Sequence, residues 1–172
     1  AIIHPVKEVV KAAISSSPEI ASLSSGSLRF DFGIPQGDDV VSQIVDAVSD
    51  NVFVEASPVK AVGAKLTGNI LIHIQSRDFQ NLLSLPSGFT TTEKGESLPW
   101  LRWLLEAGDE IIIANFGVRY GPGRGRSGGA TMSPKLRPFK VDTSFSGTED
   151  NNFITRALER NMAAIVNVIE KG

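Results

Sequence analysis

The chain has no cysteine, which excludes disulfides, thiolate nucleophiles and thiolate metal sites at once. Its two histidines, His4 and His73, are too few and too far apart in sequence to suggest a metal centre. No segment approaches the roughly 20 consecutive apolar residues that a membrane-crossing helix needs, and no internal repeat or heptad pattern is visible. The N-terminal AIIHPVKEVV lacks the basic start, long apolar segment and small-residue cleavage pattern of a secretory signal, so the cytoplasm, or an assembly made there, is the expected location. A surplus of one charge is also missing. The formal net charge of −2 argues against a general nucleic-acid binder, which is usually basic throughout. Paired carboxylates and a serine beside a base are absent at any recognised spacing. Asp31, Asp38, Asp39 and Glu55 are scattered and read as surface charges. The expectation is a protein that is not an enzyme and holds no cofactor or metal.

What is present is ordinary globular material. At 172 residues, 41% apolar and 21% charged, the chain is expected to form one domain over 1–172 with a substantial core. Pro5 opens a helix with Val6, Val9, Val10, Ala13 and Ile14 on one face. After SSSPE a further helical turn is expected to end near Gly26. SLRFDFG (27–33) alternates Leu28, Phe30 and Phe32 with polar residues and predicts a half-buried strand. DDVVSQIVDAVSD predicts a helix with acids in its first turn and an apolar stripe at Val41, Ile44, Val45 and Val48. Residues 51–75 turn to strand, with Ile70, Ile72 and Ile74 on one face and His73 on the other. RDFQNLLSL predicts a short helix and PSGFTTTEKGE a polar loop.

SLPWLRWLLEAG predicts another helix, capped by Ser97, with Pro99 in its first turn and Gly108 ending it. Trp100 and Trp103 stand three apart beside a leucine face. They fit either a buried core helix or a seam between subunits, where tryptophan is favoured because it buries much area. DEIIIANFGVRYG predicts two strands or one long bent strand. A helix over about 150–171 closes the chain, with Ile154, Leu158, Ile165 and Ile169 as its main stripe and Ser146 and Glu149 at capping-box spacing. Helices and strands are mixed without strict alternation. An α+β fold with a mainly antiparallel sheet flanked by helices, a long glycine-rich loop and a C-terminal helix is therefore expected.

The most unusual segment is GPGRGRSGG (121–129), nine positions with five glycines and two arginines. GRGRSG matches the dinucleotide fingerprint G-x-G-x-x-G at Gly123, Gly125 and Gly128. That fingerprint works only when its glycines turn a strand into a helix whose N-terminus faces the pyrophosphate. The residues that follow, ATMSPKLRPFK, hold two prolines and argue against such a helix. Charge says more. No acid lies between Glu110 and Asp142, whereas Arg119, Arg124, Arg126, Lys135, Arg137 and Lys140 all do, six of the chain's 17 lysines and arginines. The segment 121–138 is expected to be a flexible basic loop whose arginines contact a neighbouring molecule and which orders on doing so. Arg119, Arg124, Arg126, Trp100 and Trp103 are the candidate contacts with other subunits or partners. A nucleotide- or DNA-binding module using the glycine loop is the weaker alternative.

SLPWLRWLLEAGDEIIIANFGVRYGP, GRSGGATM and FSGTEDNNFITRALERN, in this order over the C-terminal half, resemble virion structural proteins of tailed bacteriophages, especially contractile-tailed ones. KLTGNILIHIQS is similar to the T-G-x-L strand of tail-completion proteins, which sit at the head–tail junction. The resemblance implies a non-enzymatic building block of the neck or tail, located in the virion, and offers no catalytic residue to transfer. It implies self-association into a ring, a hexamer or dodecamer, with other neck, portal-side, tail-tube or sheath proteins as partners. DNA would be only a passing content of the channel, and no membrane is involved. A baseplate or other tail position is the alternative within the same class.

Overall fold

The structure is a computed structural model and describes residues 2–171. α1 (Ile3–Ser15) buries Val6, Val10, Ala13 and Ile14, the stripe that a 3.6-residue period lines up. α2 (Pro18–Ser25) begins with Pro18 in its first turn, and Ser17 Oγ accepts a hydrogen bond from the Ile20 amide at 3.4 Å, satisfying one of the free donors of the helix start.

The next segment corrects the sequence expectation. Residues 27–33 are not a strand; α3 (Ser27–Asp31) is a helical turn. Leu28 and Phe32 are spaced so that either period can place them on one side. The preceding helix decides: beyond the extended Gly26, the Leu28 amide donates to Ser22 Oγ at 3.0 Å, which satisfies a free donor at the start of a new helical turn. Phe32 then sinks against Trp100 and Phe139, with ring centroids 5.2 and 5.9 Å away, while Phe30 stays only half-buried. α4 (Gly37–Asp50) has Asp38 and Asp39 in its first turn and packs Ile44, Val45 and Val48 toward α1 and α2. A Cβ on Gly37 would lie 2.2 Å from the Ser24 carbonyl oxygen and 2.4 Å from that of Leu23, so this helix start closes on α2 only with glycine.

The strands form four separate two-stranded pairs, all antiparallel. β1 (Phe53–Ala56) pairs with β4 (Ile70–His73), and β2 (Lys60–Val62) pairs with β3 (Lys65–Thr67) nested between them. β5 (Thr90–Thr91) pairs with β6 (Ser97–Leu98), and β7 (Phe116–Tyr120) pairs with β8 (Ala130–Pro134). The α+β class expected from the sequence is thus realised with its antiparallel strands distributed over four ribbons. Short α5 (Gln80–Leu83) and α6 (Leu101–Leu105) lie between ribbons. Ser97 does not cap α6, because it is engaged opposite Thr91 in the β5–β6 pair. Gly108 takes a left-handed φ of 63°, and its amide donates to the Gly147 carbonyl at 2.8 Å.

The C-terminal helix is two: α7 (Phe153–Arg160) and α8 (Met162–Lys171). Asn161 separates them. Its side-chain amide donates to the Ala157 carbonyl at 2.9 Å, competing with the regular backbone ladder. The capping box is built by Asn152 and Thr155 rather than by Ser146 and Glu149. Asn152 Oδ1 accepts from the amides of Ile154 and Thr155 at 3.1 and 3.2 Å, and the Asn152 amide returns a bond to Thr155 Oγ1 at 2.9 Å. The hydrophobic cluster joins α1, α2 and α4 to Trp100, Leu101, Leu104, Leu105, Phe153 and Ile154.

Candidate interaction surface

The basic segment 121–138 is not irregular throughout. Residues 130–134 form β8, and the glycine turn before it closes on itself through backbone bonds, Gly121 N to Gly129 O at 2.9 Å and Gly123 N to Gly128 O at 2.8 Å. Gly125 has a φ of 62°, and a Cβ there would sit 2.0 Å from the Ala130 carbonyl oxygen. Only glycine permits this turn. Since β8 follows Gly128, no helix start faces the glycines, and the geometry of a dinucleotide fingerprint is not formed.

The ribbon is also docked on the helical layer. A Cβ on Gly129 would lie 2.5 Å from the Phe30 ring, so the strand backbone runs flush against α3. Tyr120, at the end of β7, donates its hydroxyl hydrogen to Asp31 Oδ1. Burial raises the Asp31 carboxyl above its usual range, with the Tyr120 bond acting in the opposite sense. Burial, followed by the bond to Asp31, likewise pushes the Tyr120 hydroxyl up. The three arginines predicted as contacts come together on this one ribbon. Arg119 is exposed on β7, and Arg124 and Arg126 are exposed on the glycine turn. Arg126 Nη2 lies near Gly33, 3.7 Å from where a Cβ would be. Among the described residues, none of the three forms an ion pair.

The tryptophans are elsewhere. Trp100 is fully buried, and its indole Nε1 donates to the Ser87 carbonyl at 3.1 Å. It belongs to the core, so in this fold it offers no surface to a partner. Trp103 is partly buried and packs on the same core, with its Nε1 buried and unpartnered among the described residues.

Sequence reasoning missed a surface on which several large apolar side chains are exposed together. In the hairpin 53–73, Val59, Val62 and Leu66 are 66, 63 and 77% exposed, and Ile70 and Leu71 are also more than half exposed. The sequence pattern treats such residues as one face of a half-buried sheet. Here no second layer covers β2 and β3, in which every residue is exposed. The ribbon is anchored only at its root. There Ile72 packs on the core, Phe53 stacks on the His73 ring at 4.3 Å, and His73 Nε2 lies 3.2 Å from Glu55 Oε2. A signal for this arm was available: residues 57–68 hold Pro58, Gly63, Gly68, Lys60 and Lys65 and no acid, a composition suited to a free ribbon rather than a covered strand.

Beside the arm's root lies a groove of about 370 Å³. Ile72, Ile74, Ile154 and Leu158 line it together with Phe79, whose backbone is held left-handed at φ 49°. Glu149, Asp150 and Arg77 supply charge at its rim.

The motifs that carry the phage resemblance have structural tasks. In F-x-G-T, a Cβ on Gly147 would lie 2.0 Å from the Leu104 carbonyl oxygen. In N-F-I-T-R-A, Asn152 and Thr155 cap α7, and Arg156 Nη2 reaches Glu19 Oε1 at 2.7 Å. No protein family, curated protein or solved structure matches the chain. Among the described residues, no helix is long and apolar enough to cross a membrane.

Proposed function

We propose that this chain is a structural protein of a tailed-phage virion, a subunit of a ring at the head–tail junction that joins the portal side to the tail. The carrying observation is the 53–73 arm, an apolar ribbon that joins the core at its root through Ile72 and is exposed at its tip. Exposed apolar patches beyond scattered single residues mark surfaces that another protein covers. The docked ribbon with Arg119, Arg124 and Arg126 adds a second surface, cationic and free of internal ion pairs. The resemblance supports the same reading, since the residues behind it build the fold: Gly147 admits α6, and Asn152, Thr155 and Arg156 set the start of α7. A subunit of this kind has different surfaces on different sides, which suits the head-to-tail contacts of a ring.

The test is copy number and position in the particle. Virions of the encoding phage or prophage should contain about six or twelve copies per particle, a closed cyclic set, with antibody-linked gold at the neck. Replacing both Arg124 and Arg126 by Ala should leave unfolding within about 0.5 kcal/mol of wild type, as for exposed side chains, and should reduce the yield of complete particles. A chain absent from virions, or undiminished particle yield with both arginines removed, would overturn the assignment.

A further inference from the structure

The arm and the groove are complementary to each other, and one molecule cannot join them. Groove residue Ile72 lies on β4, whereas the arm's turn is at Gly63 and Ala64. At 3.3 Å per residue the ribbon carries its tip roughly 30 Å from the groove beside its root. The tip does not fold back, for Val62 and Leu66 remain 63 and 77% exposed. An isolated two-stranded ribbon is marginal in water, so this one gains most from a surface supplied by another molecule.

We infer that the tip of the arm docks in the root groove of a second copy of this chain. Charge identifies the occupant. Residues 57–68 carry Lys60 and Lys65 without an acid, and neither lysine has an ion-pair partner among the described residues. The groove is rimmed by Glu149 and Asp150, both exposed and likewise unpaired, against the single cation Arg77. Its floor of Ile72, Ile74, Ile154 and Leu158 is apolar, and its volume suits a branched side chain such as Val62, which shares a face of the ribbon with Lys60 and Lys65. Lys60 and Lys65 then reach the acidic rim, where opposite charges fix register and exclude wrong partners. Because tip and groove are different surfaces, each copy donates an arm and receives one. Such a contact propagates head to tail and closes into a ring if the rotation permits. The inference rests on the ring reading above and specifies the contact that would build it.

A charge exchange tests it on the full chain. Wild type should associate with rising concentration in sedimentation velocity. K60E/K65E and E149K/D150K each place like charges together and should weaken self-association about a hundredfold. Both changes lie on exposed side chains, and circular dichroism should show each variant folded. An equimolar mixture of the two variants restores opposite charges at every contact, as does the chain carrying all four substitutions. Both should recover association to near the wild-type level. Unchanged association of either double variant, failure of the mixture and the four-substitution chain to recover, or a wild type monomeric at every concentration would overturn the arm–groove contact. Virion copy number is measured independently, so a ring built by other contacts is distinguishable from no ring.

Discussion

Arg156→Ala should be among the most damaging single substitutions outside the apolar core. Glu19 lies in the first turn of α2 with its side chain 3% exposed, and Arg156 Nη2 donates to its Oε1 at 2.7 Å. The other carboxylate oxygen, Oε2, is buried without a partner among the described residues, so Arg156 is the main compensation for this charge. The same guanidinium donates to the Ser146 carbonyl at 3.3 Å and to Asn151 Oδ1 at 2.9 Å, tying the loop before α7 to α2. Truncation strands the carboxylate in the interior. Breaking a buried pair in this way costs about 3–5 kcal/mol, a large part of the roughly 5–15 kcal/mol that holds a domain folded.

Removal of the charge itself should rescue the loss. Glu19→Gln leaves a neutral side chain of the same shape, and R156A/E19Q should be less destabilised than R156A alone. The double-mutant cycle should show a coupling of about 2 kcal/mol or more. Urea unfolding followed by tryptophan fluorescence reads this directly, because Trp100 and Trp103 lie in or against the core. A loss below about 1 kcal/mol for R156A, the scale of exposed pairs, or equal losses in R156A and R156A/E19Q, would refute the argument.

Three further outcomes follow from the same geometry. Gly147→Ala pushes a methyl group to 2.0 Å from the Leu104 carbonyl oxygen; thermal unfolding should register an overpacking loss of about 1–3 kcal/mol. Gly125→Ala meets both a left-handed φ of 62° and the Ala130 carbonyl, whereas Gly63→Ala has a φ of 62° and open space. Gly63→Ala should therefore cost only the left-handed strain of about 1–2 kcal/mol, seen as faster amide exchange confined to the arm, while Gly125→Ala should lower global stability further. Asp31 binds its proton more tightly when folded, because burial raises its carboxyl. Its ionisation therefore costs stability as pH rises out of the carboxylate range. Asp31→Asn keeps an oxygen for the Tyr120 hydroxyl, so the variant should gain on wild type between about pH 4 and pH 7 in urea titrations. A difference constant across that range would contradict the cause assigned.

How much of this was legible in the residues depends on whether the cue was local. The stripes of α1 and α4 involve side chains within two turns of each other, and the periodicity that predicts them is also what buries them. The acids at the start of α4 and the gathering of Arg119, Arg124 and Arg126 were equally plain. Residues 27–33 read as strand in the sequence because Leu28 and Phe32 satisfy two periods, and Ser22 breaks the tie in favour of helix. β8 was missed because Pro134 and the glycines mask a strand that exists through its pairing with β7. The cap of α7 falls on Asn152, not Ser146, since Arg156 and Gly147 hold the loop in place for a later start.

By itself the sequence determined the helical stripes, the α+β class and the concentration of cations in one segment, because each depends on spacing along the chain. Only the tertiary structure decided which apolar residues are core and which are surface. Alternation in residues 53–73 says which side chains share a face of a ribbon, but burial needs a second layer, and neighbours distant in sequence supply it or leave it out. Here they cover Ile72 at the root and leave Val62 and Leu66 bare at the tip.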